Sequence, residues 1–127
     1  MELTVLVQSS DGQVFEVEKK PILMSVSIAK ELLSRPKSDH NSPIVLHQID
    51  GKTLNKVIEY CKHHCVPYST LEDEAVIDSL NAFDAQFVDV DPTTFCTLVR
   101  AARDLKIDKL QDLICRSLLK KIKGKNH

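Results

Sequence analysis

The stretch VQSSDGQVFEV, from Val7 to Val17, decides the fold at the start of the chain. Its centre, Asp11-Gly12, is typical of a tight turn, because glycine tolerates a positive φ and aspartate tolerates the left-handed region. Apolar residues alternate with polar ones on both sides of this turn: Leu3, Val5 and Val7 before it, Phe15 and Val17 after it. Such alternation about a turn predicts a β-hairpin with one buried face.

Length and composition favour a single soluble globular domain. A chain of 127 residues is long enough to bury roughly two-thirds of its unfolded surface, and its 43% apolar and 28% charged residues are typical of such domains. The net charge of -1 gives no general reason to expect nucleic acid or an anionic membrane as a partner. Without a signal-peptide pattern or a membrane-length apolar run, the four cysteines are expected to be reduced thiols in the cytoplasm and/or nucleus.

The segment after the hairpin predicts two helices, a loop and a third strand. Pro21 is expected to open a short helical turn, and Ser27 to cap the next helix. The apolar residues of that helix are Ile28, Ala29, Leu32 and Leu33. Ser34 to Pro43 is polar with two prolines and predicts a loop, whereas Ile44 to Leu46 is a brief apolar run that favours a buried strand.

The second half of the chain predicts helices with clear start signals. Asp50 is expected to cap one helix, and Asp91-Pro92 to begin another, in which Arg103 and Asp104 lie outside the core. The predicted buried stripes are Leu54, Val57, Ile58 and Cys61 in the first, and Phe95, Leu98, Val99, Ala102 and Leu105 in the second. An acidic helix is expected from Leu71 to Leu80. The whole predicts an α+β fold, a small sheet with a cluster of helices.

The last predicted helix begins at Asp108 and is apolar along one side. Its apolar residues are Leu110, Leu113, Ile114, Leu118 and Ile122. Four lysines lie near its end: Lys120, Lys121, Lys123 and Lys125. Their positive charges interact favourably with the helix dipole, and this accounts for them without a phosphate ligand.

Two segments of the chain resemble the Skp adaptor family, the small subunits that join F-box proteins to a cullin in SCF ubiquitin ligases. One is the amino-terminal hairpin, and the other is LVRAARDLKIDKLQDLICRSLLKKIKGK, which ends in the family's Ile-Lys-Gly-Lys. The resemblance implies a BTB/POZ-like fold, one domain over residues 1–127, and a non-catalytic adaptor. The implied partners are a cullin and an F-box protein, with no cofactor.

The resemblance also assigns two interaction surfaces. Arg103 and Asp104 stand where the family usually has an Asn-Tyr pair that faces the cullin, and two charges in that place are expected to weaken the contact. Leu110, Ile114 and Leu118 match the F-box-facing side of the final helix. Because the chain stops where relatives continue into further F-box-binding helices, we expect this side to be partly exposed and to favour a homodimer when no partner covers it.

Two other protein classes remain open at this point. The chain is also consistent with a self-associating BTB/POZ interaction module that has no ligase role. A compact adaptor similar to elongin C is the other possibility, although the Skp-like last helix and the Ile-Lys-Gly-Lys ending favour the Skp family.

Metal binding and catalysis have weak support in the sequence. Cys61, His63, His64 and Cys65 have a metal-like composition, but His63 projects away from the other three on a helix, and zinc needs about four converging ligands. A buried cysteine with exposed histidines is the expected arrangement. Cys96 and Cys115 have no fixed histidine partner, and the carboxylates Glu72, Asp73 and Glu74 are expected to form a solvated face. We therefore expect neither an enzyme nor a metal protein.

Overall fold

The structure is a computed structural model that describes residues 4–36, 38 and 42–124. Two details of the sequence predictions, Leu3 in the first strand and Lys125 in the terminal lysine group, lie outside the described residues. The same holds for part of the predicted loop that ends at Pro43.

The predicted hairpin is confirmed. Strand β1 (Thr4–Gln8) pairs antiparallel with strand β2 (Val14–Glu18). Gly12 adopts a φ of 87°, and its N–H donates a hydrogen bond of 3.1 Å to the Ser9 carbonyl. The positive φ explains why glycine suits this position. The buried apolar residues of this hairpin are Val5, Val7 and Val17, so one face points into the core as the alternation predicts.

A third strand completes the sheet. Strand β3 (Ile44–Val45) pairs parallel with β1, so that the strand order is β2-β1-β3. Ile44 is buried, but Val45 is 41% exposed. The predicted buried strand is thus present in a shorter form than Ile44 to Leu46.

Two helices follow the hairpin, and their starts differ from the prediction. Helix α1 (Lys19–Ile22) begins before Pro21. Helix α2 (Val26–Ser34) is capped by Ser25, whose Oγ accepts a hydrogen bond of 3.2 Å from the Ile28 N–H.

The prediction that Ser27 caps this helix is wrong. The Ser27 hydroxyl donates instead to the carbonyl of Asp104, at 2.7 Å, so it serves a tertiary contact rather than its own helix. Leu33 is 87% exposed, whereas Ile28 and Leu32 are buried. The core-facing stripe of α2 is therefore narrower than its apolar residues suggest.

Helix α3 (Gly51–His64) has the predicted cap and the predicted buried face. The Asp50 carboxylate accepts a hydrogen bond of 3.0 Å from the Thr53 N–H. The predicted stripe is buried throughout, at Leu54, Val57, Ile58 and Cys61. A 3₁₀ helix (Tyr68–Thr70) follows.

Helix α4 (Glu74–Phe87) differs from the helix predicted for Leu71 to Leu80. It begins later because Asp73 caps it, accepting a hydrogen bond of 2.9 Å from the Ala75 N–H. Phe87 is its one buried residue. With so little burial, the hydrophobic pattern carries weak information about where this helix ends.

Helices α5 (Pro92–Leu105) and α6 (Asp108–Gly124) form the end of the described chain. Asp91 caps α5 as predicted. The buried positions of α5 are Phe95, Leu98, Ala101, Ala102 and Leu105. Val99 is 39% exposed, so its predicted burial is wrong and Ala101 takes that place.

The core lies between the sheet and the helices, and the predicted α+β class is confirmed. Helix α3 packs against α1, α4 and α5, and α5 also packs against α2 and α6. Among the described residues, no helix has the length and apolar character needed to cross a membrane.

Candidate interaction surfaces

The carboxyl-terminal end of α5 carries the first candidate surface. The side chain of Arg103 is 70% exposed and that of Asp104 is 31% exposed, and Arg103 Nε lies 3.8 Å from Asp104 Oδ1. The prediction that both residues lie outside the core is confirmed. Their contact with a cullin stays a prediction.

Helix α2 holds this end of α5 in place. The Ser27 hydroxyl donates to the Asp104 carbonyl at 2.7 Å, and the Ser25 hydroxyl donates to the Leu105 carbonyl at 2.5 Å. Carbonyls in the last turn of a helix have no partner within the helix, so such contacts satisfy groups that would otherwise need water. The Val26 N–H also donates to the carbonyl of Lys106, at 3.2 Å. The backbone beneath Arg103 and Asp104 is thus fixed from outside α5.

A shallow groove lies next to Asp104. It has a volume of about 250 Å³ and runs between the start of α2, the residues after β3 and the end of α5. Val45, Leu46 and Ile49 line it together with Ser27. The first surface therefore joins a charged pair to an apolar depression, which suits an apolar side chain of a partner protein.

Helix α6 carries the second candidate surface. Leu118, Leu119 and Ile122 are 46%, 58% and 49% exposed. Leu110 and Ile114 are 0% and 5% exposed, so the expectation that they would be exposed beside Leu118 is wrong.

The geometry of a helix explains this division. A step of four residues turns about 40° beyond a full circle, since each residue turns about 100°. The series Leu110, Ile114, Leu118 and Ile122 therefore winds steadily around α6, from the core-facing side to solvent. Of the three residues assigned to the F-box side, Leu118 alone is exposed, and the assignment of this side to an F-box stays a prediction.

A contact between α3 and α4 was not predicted from the sequence. His64 Nε2 lies 2.6 Å from Asp84 Oδ1, and their side chains are only 12% and 14% exposed. The ring of Tyr60 stacks on His64 with centroids 4.3 Å apart, and His63 stacks on Phe83 at 3.9 Å. These residues are distant in sequence, and no local pattern pairs a histidine of one helix with an aspartate of the next.

The residues with metal-like composition are engaged in the packing of α3 against its neighbours. Cys61 is buried, and burial raises the pKa of its thiol to about 12, so the thiol is protonated near neutral pH and a poor ligand or nucleophile. His63 and His64 are occupied by the ring and carboxylate contacts with α4. Within the described part of the chain, no group of three or more His, Cys, Asp or Glu residues is arranged to hold a metal ion.

The sheet and the surrounding helices define a POZ-type interaction domain. Residues 4–66 match the profile described as Skp1 family, tetramerisation domain. The chain belongs to the Skp1 family. It is 37% identical over 125 residues to the SCF ubiquitin ligase complex protein SKP1a of Dictyostelium discoideum, a match that covers 95% of this chain and 76% of that protein. It is 39% identical over 127 residues to SKP1-like protein 1A of Arabidopsis thaliana, covering 95% of this chain and 77% of that protein.

Proposed function

We propose that this protein is a non-catalytic adaptor of an SCF-type ubiquitin ligase, acting in the cytoplasm and/or nucleus. The observation that carries the proposal is the similarity along 95% of the chain to a protein named SCF ubiquitin ligase complex protein SKP1a. An adaptor needs two surfaces that bind different partners at once. The exposed pair at the end of α5 and the exposed apolar residues of α6 supply two such surfaces.

The cullin side of the proposal is the surface with Arg103 and Asp104. Both side chains reach solvent from a backbone that α2 holds in place. Removing two charges from water is costly, although the distance of 3.8 Å between them offsets part of that cost. We expect a cullin to bind here more weakly than it binds relatives with the usual Asn-Tyr pair.

The F-box side of the proposal is α6. Leu118 is the exposed member of the three residues assigned by resemblance, and Leu119 and Ile122 extend the apolar surface around it. Leu110 and Ile114 would act beneath this surface by anchoring the helix to the core. Burying an apolar side chain against a partner contributes roughly 1.5–3 kcal/mol, so three such residues can make the centre of an interface.

The proposal is tested with a tagged form of the chain in a pull-down from cell extract, followed by mass spectrometry. Recovery of cullin and F-box peptides is the expected result. Calorimetry with a purified cullin fragment and a purified F-box domain then measures each contact separately. Recovery of the chain alone, and no heat of binding with either purified partner, would refute the adaptor role and favour the self-associating POZ module.

A further inference from the structure

We infer that the groove between α4 and α6 binds an acidic amphipathic helix of a partner protein. The groove has a volume of about 750 Å³ and lies between the second half of α4 and the second half of α6. Its size falls in the range of roughly 300–1,000 Å³ that is common for binding sites. Leu119 is the one lining residue that the groove shares with the proposed F-box side. The rest of the lining is not used by the proposed contacts with cullin or F-box, so the inference goes beyond the adaptor role.

One wall of the groove is basic. Arg116, Lys120 and Lys123 line it from α6, and their spacing of four and three residues places them on one side of the helix. Lys121 is different, because its Nζ lies 4.0 Å from the centroid of the Phe95 ring on another side of α6. The lysines near the helix end are therefore divided between separate surfaces, which a simple preference of cations for a helix end does not explain.

The acidic residues near this wall already have partners. Asp84 is the one carboxylate among the described residues that line the groove, and it lies 2.6 Å from His64. Asp112 Oδ2 lies 3.3 Å from Arg116 Nε. Arg116 is therefore engaged as well, and Lys120 and Lys123 are the two lining cations that give this wall its positive charge, while the whole chain has a net charge of -1. A partner with carboxylates along one side is complementary to it.

Besides Asn81 and Ser117, the remaining lining is apolar and suited to an apolar stripe. Ala85 and Val88 contribute from α4, and Leu113 and Leu119 from α6. Leu119 is 58% exposed, and the small side chain of Ala85 allows a partner backbone to approach closely. Two helices with an apolar floor between them and charge on one rim are the setting in which an amphipathic helix binds, with its apolar residues in the groove.

Apart from Leu119 at their border, this groove and the proposed F-box side are different surfaces. Lys120 follows Leu118 by two residues, which turns it about 200° around the axis of α6. The two side chains therefore project from nearly opposite sides of the helix. A partner can occupy the groove while Leu118 remains available.

The inference is tested by selecting peptides from a displayed library of random helical 16-mers on the intact protein. We expect the enriched sequences to combine an apolar stripe with Asp or Glu on one flank. A selected peptide should then bind the double variant Lys120→Glu/Lys123→Glu at least tenfold more weakly, and binding should weaken with added salt. In NMR spectra of the labelled protein, the amides of α4 and of the second half of α6 should shift.

Matched variants separate this groove from the other surfaces. Lys30→Glu/Lys52→Glu, at exposed lysines of α2 and α3, makes the same charge change elsewhere and should leave binding unchanged, as should Leu118→Glu. Three outcomes would each overturn the inference. The library could yield no acidic amphipathic sequence, the selected peptide could bind the Lys120→Glu/Lys123→Glu variant equally well, or Leu118→Glu could abolish peptide binding. None of these results bears on cullin or F-box binding, which the calorimetry above measures independently.

Discussion

His64 Nε2 lies 2.6 Å from Asp84 Oδ1, and this contact fastens α4 to the last turn of α3. The neighbouring rings of Phe83 and Phe87 pack beside it, at 5.7 Å from one another. Because Phe87 is the one buried residue of α4, this small cluster is an important attachment of the helix to α3, together with the hydrogen bond of 3.2 Å from Lys56 Nζ to the Phe87 carbonyl.

We expect His64→Ala and Asp84→Asn each to loosen α4. A hydrogen bond to a charged group contributes about 1.5–3 kcal/mol, and the two changes should be non-additive because they remove the same contact. Chemical denaturation of both single variants and the double variant measures the coupling, and hydrogen exchange shows whether α4 opens first. Asp78→Asn, an exposed change on the same helix, is the control, and full additivity of the two main changes would contradict the assignment.

Adjacent positions on α5 should respond very differently to truncation. Leu98 is fully buried and Val99 is 39% exposed. Leu98→Ala is expected to lower the free energy of unfolding by about 2–5 kcal/mol, and Val99→Ala by less than about 1 kcal/mol. Urea denaturation of the two variants provides the comparison. Equal losses would mean that the buried side of α5 has been assigned wrongly.

Replacing Arg103 and Asp104 with Asn and Tyr should tighten binding to a cullin fragment. The pair Arg103→Asn/Asp104→Tyr removes two charges that would have to leave water, and it adds an aromatic side chain of the kind that is common at interfaces. We expect at least a threefold gain in affinity, measured by calorimetry. An unchanged affinity would show that the cullin avoids this end of α5.

Leu118→Glu and Leu110→Glu should separate binding from folding on α6. The first places a charge at an exposed position and should leave the denaturation midpoint nearly unchanged, while it weakens F-box binding and any self-association. The second buries a charge and should prevent folding.

We expect concentration-dependent dimers of the unmodified chain in sedimentation, with an F-box peptide competing for the same surface. A monomer at every concentration, with Leu118→Glu no different, would contradict self-association through this side.

The cap of α5 should make stability depend on acid pH. Hydrogen bonds from the hydroxyl and the N–H of Thr94 hold the pKa of the Asp91 carboxyl below its ordinary value. A carboxylate with a lowered pKa stabilises the folded state above its unfolded pKa of about 3.9, and that contribution is lost as the pH falls toward the folded value.

Asp91→Ala should therefore lower the denaturation midpoint clearly near neutral pH, and the gap to the unmodified chain should narrow as the pH falls through that range. Urea denaturation across a pH series measures this gap. Asp89→Ala, at a nearby exposed carboxylate, should produce a small gap throughout. If the gap for Asp91→Ala widened in acid, the ionised Asp91 carboxylate would not be the form that stabilises the folded state.

Local chemistry explains which parts of the fold the sequence predicted. The turn at Asp11-Gly12 and the caps at Asp50 and Asp91 depend on a few neighbouring residues, so they are visible without tertiary information. The prediction of Ser27 as a cap is wrong because two serines, Ser25 and Ser27, stand near the start of this helix and the sequence does not distinguish them. The Ser27 hydroxyl binds a carbonyl of α5 instead, and only the folded chain brings the two together.

For the candidate surfaces, the sequence predicts which helices carry them, but it does not predict which residues of α6 are exposed. The family resemblance placed Arg103, Asp104 and Leu118 on the surface, and the structure agrees on their exposure. The burial of Leu110 and Ile114 depends on how α6 packs on its neighbours, which periodicity does not specify. The groove beside α4 was missed for a related reason, since α4 itself has too few buried residues for its position to be read from a pattern.

The contacts of Ser25 and Ser27 make the affinity for a cullin depend on residues that are distant in sequence from the binding surface. These hydroxyls meet the carbonyls of Leu105 and Asp104 across separations of 80 and 77 residues. Ser25 is fully buried, so a substitution there would disturb the end of α5 without altering any side chain that a bound cullin could touch. Genetic screens for loss of cullin binding should therefore recover lesions in α2 as well as in α5, and a catalogue of interface residues alone would misclassify them as harmless.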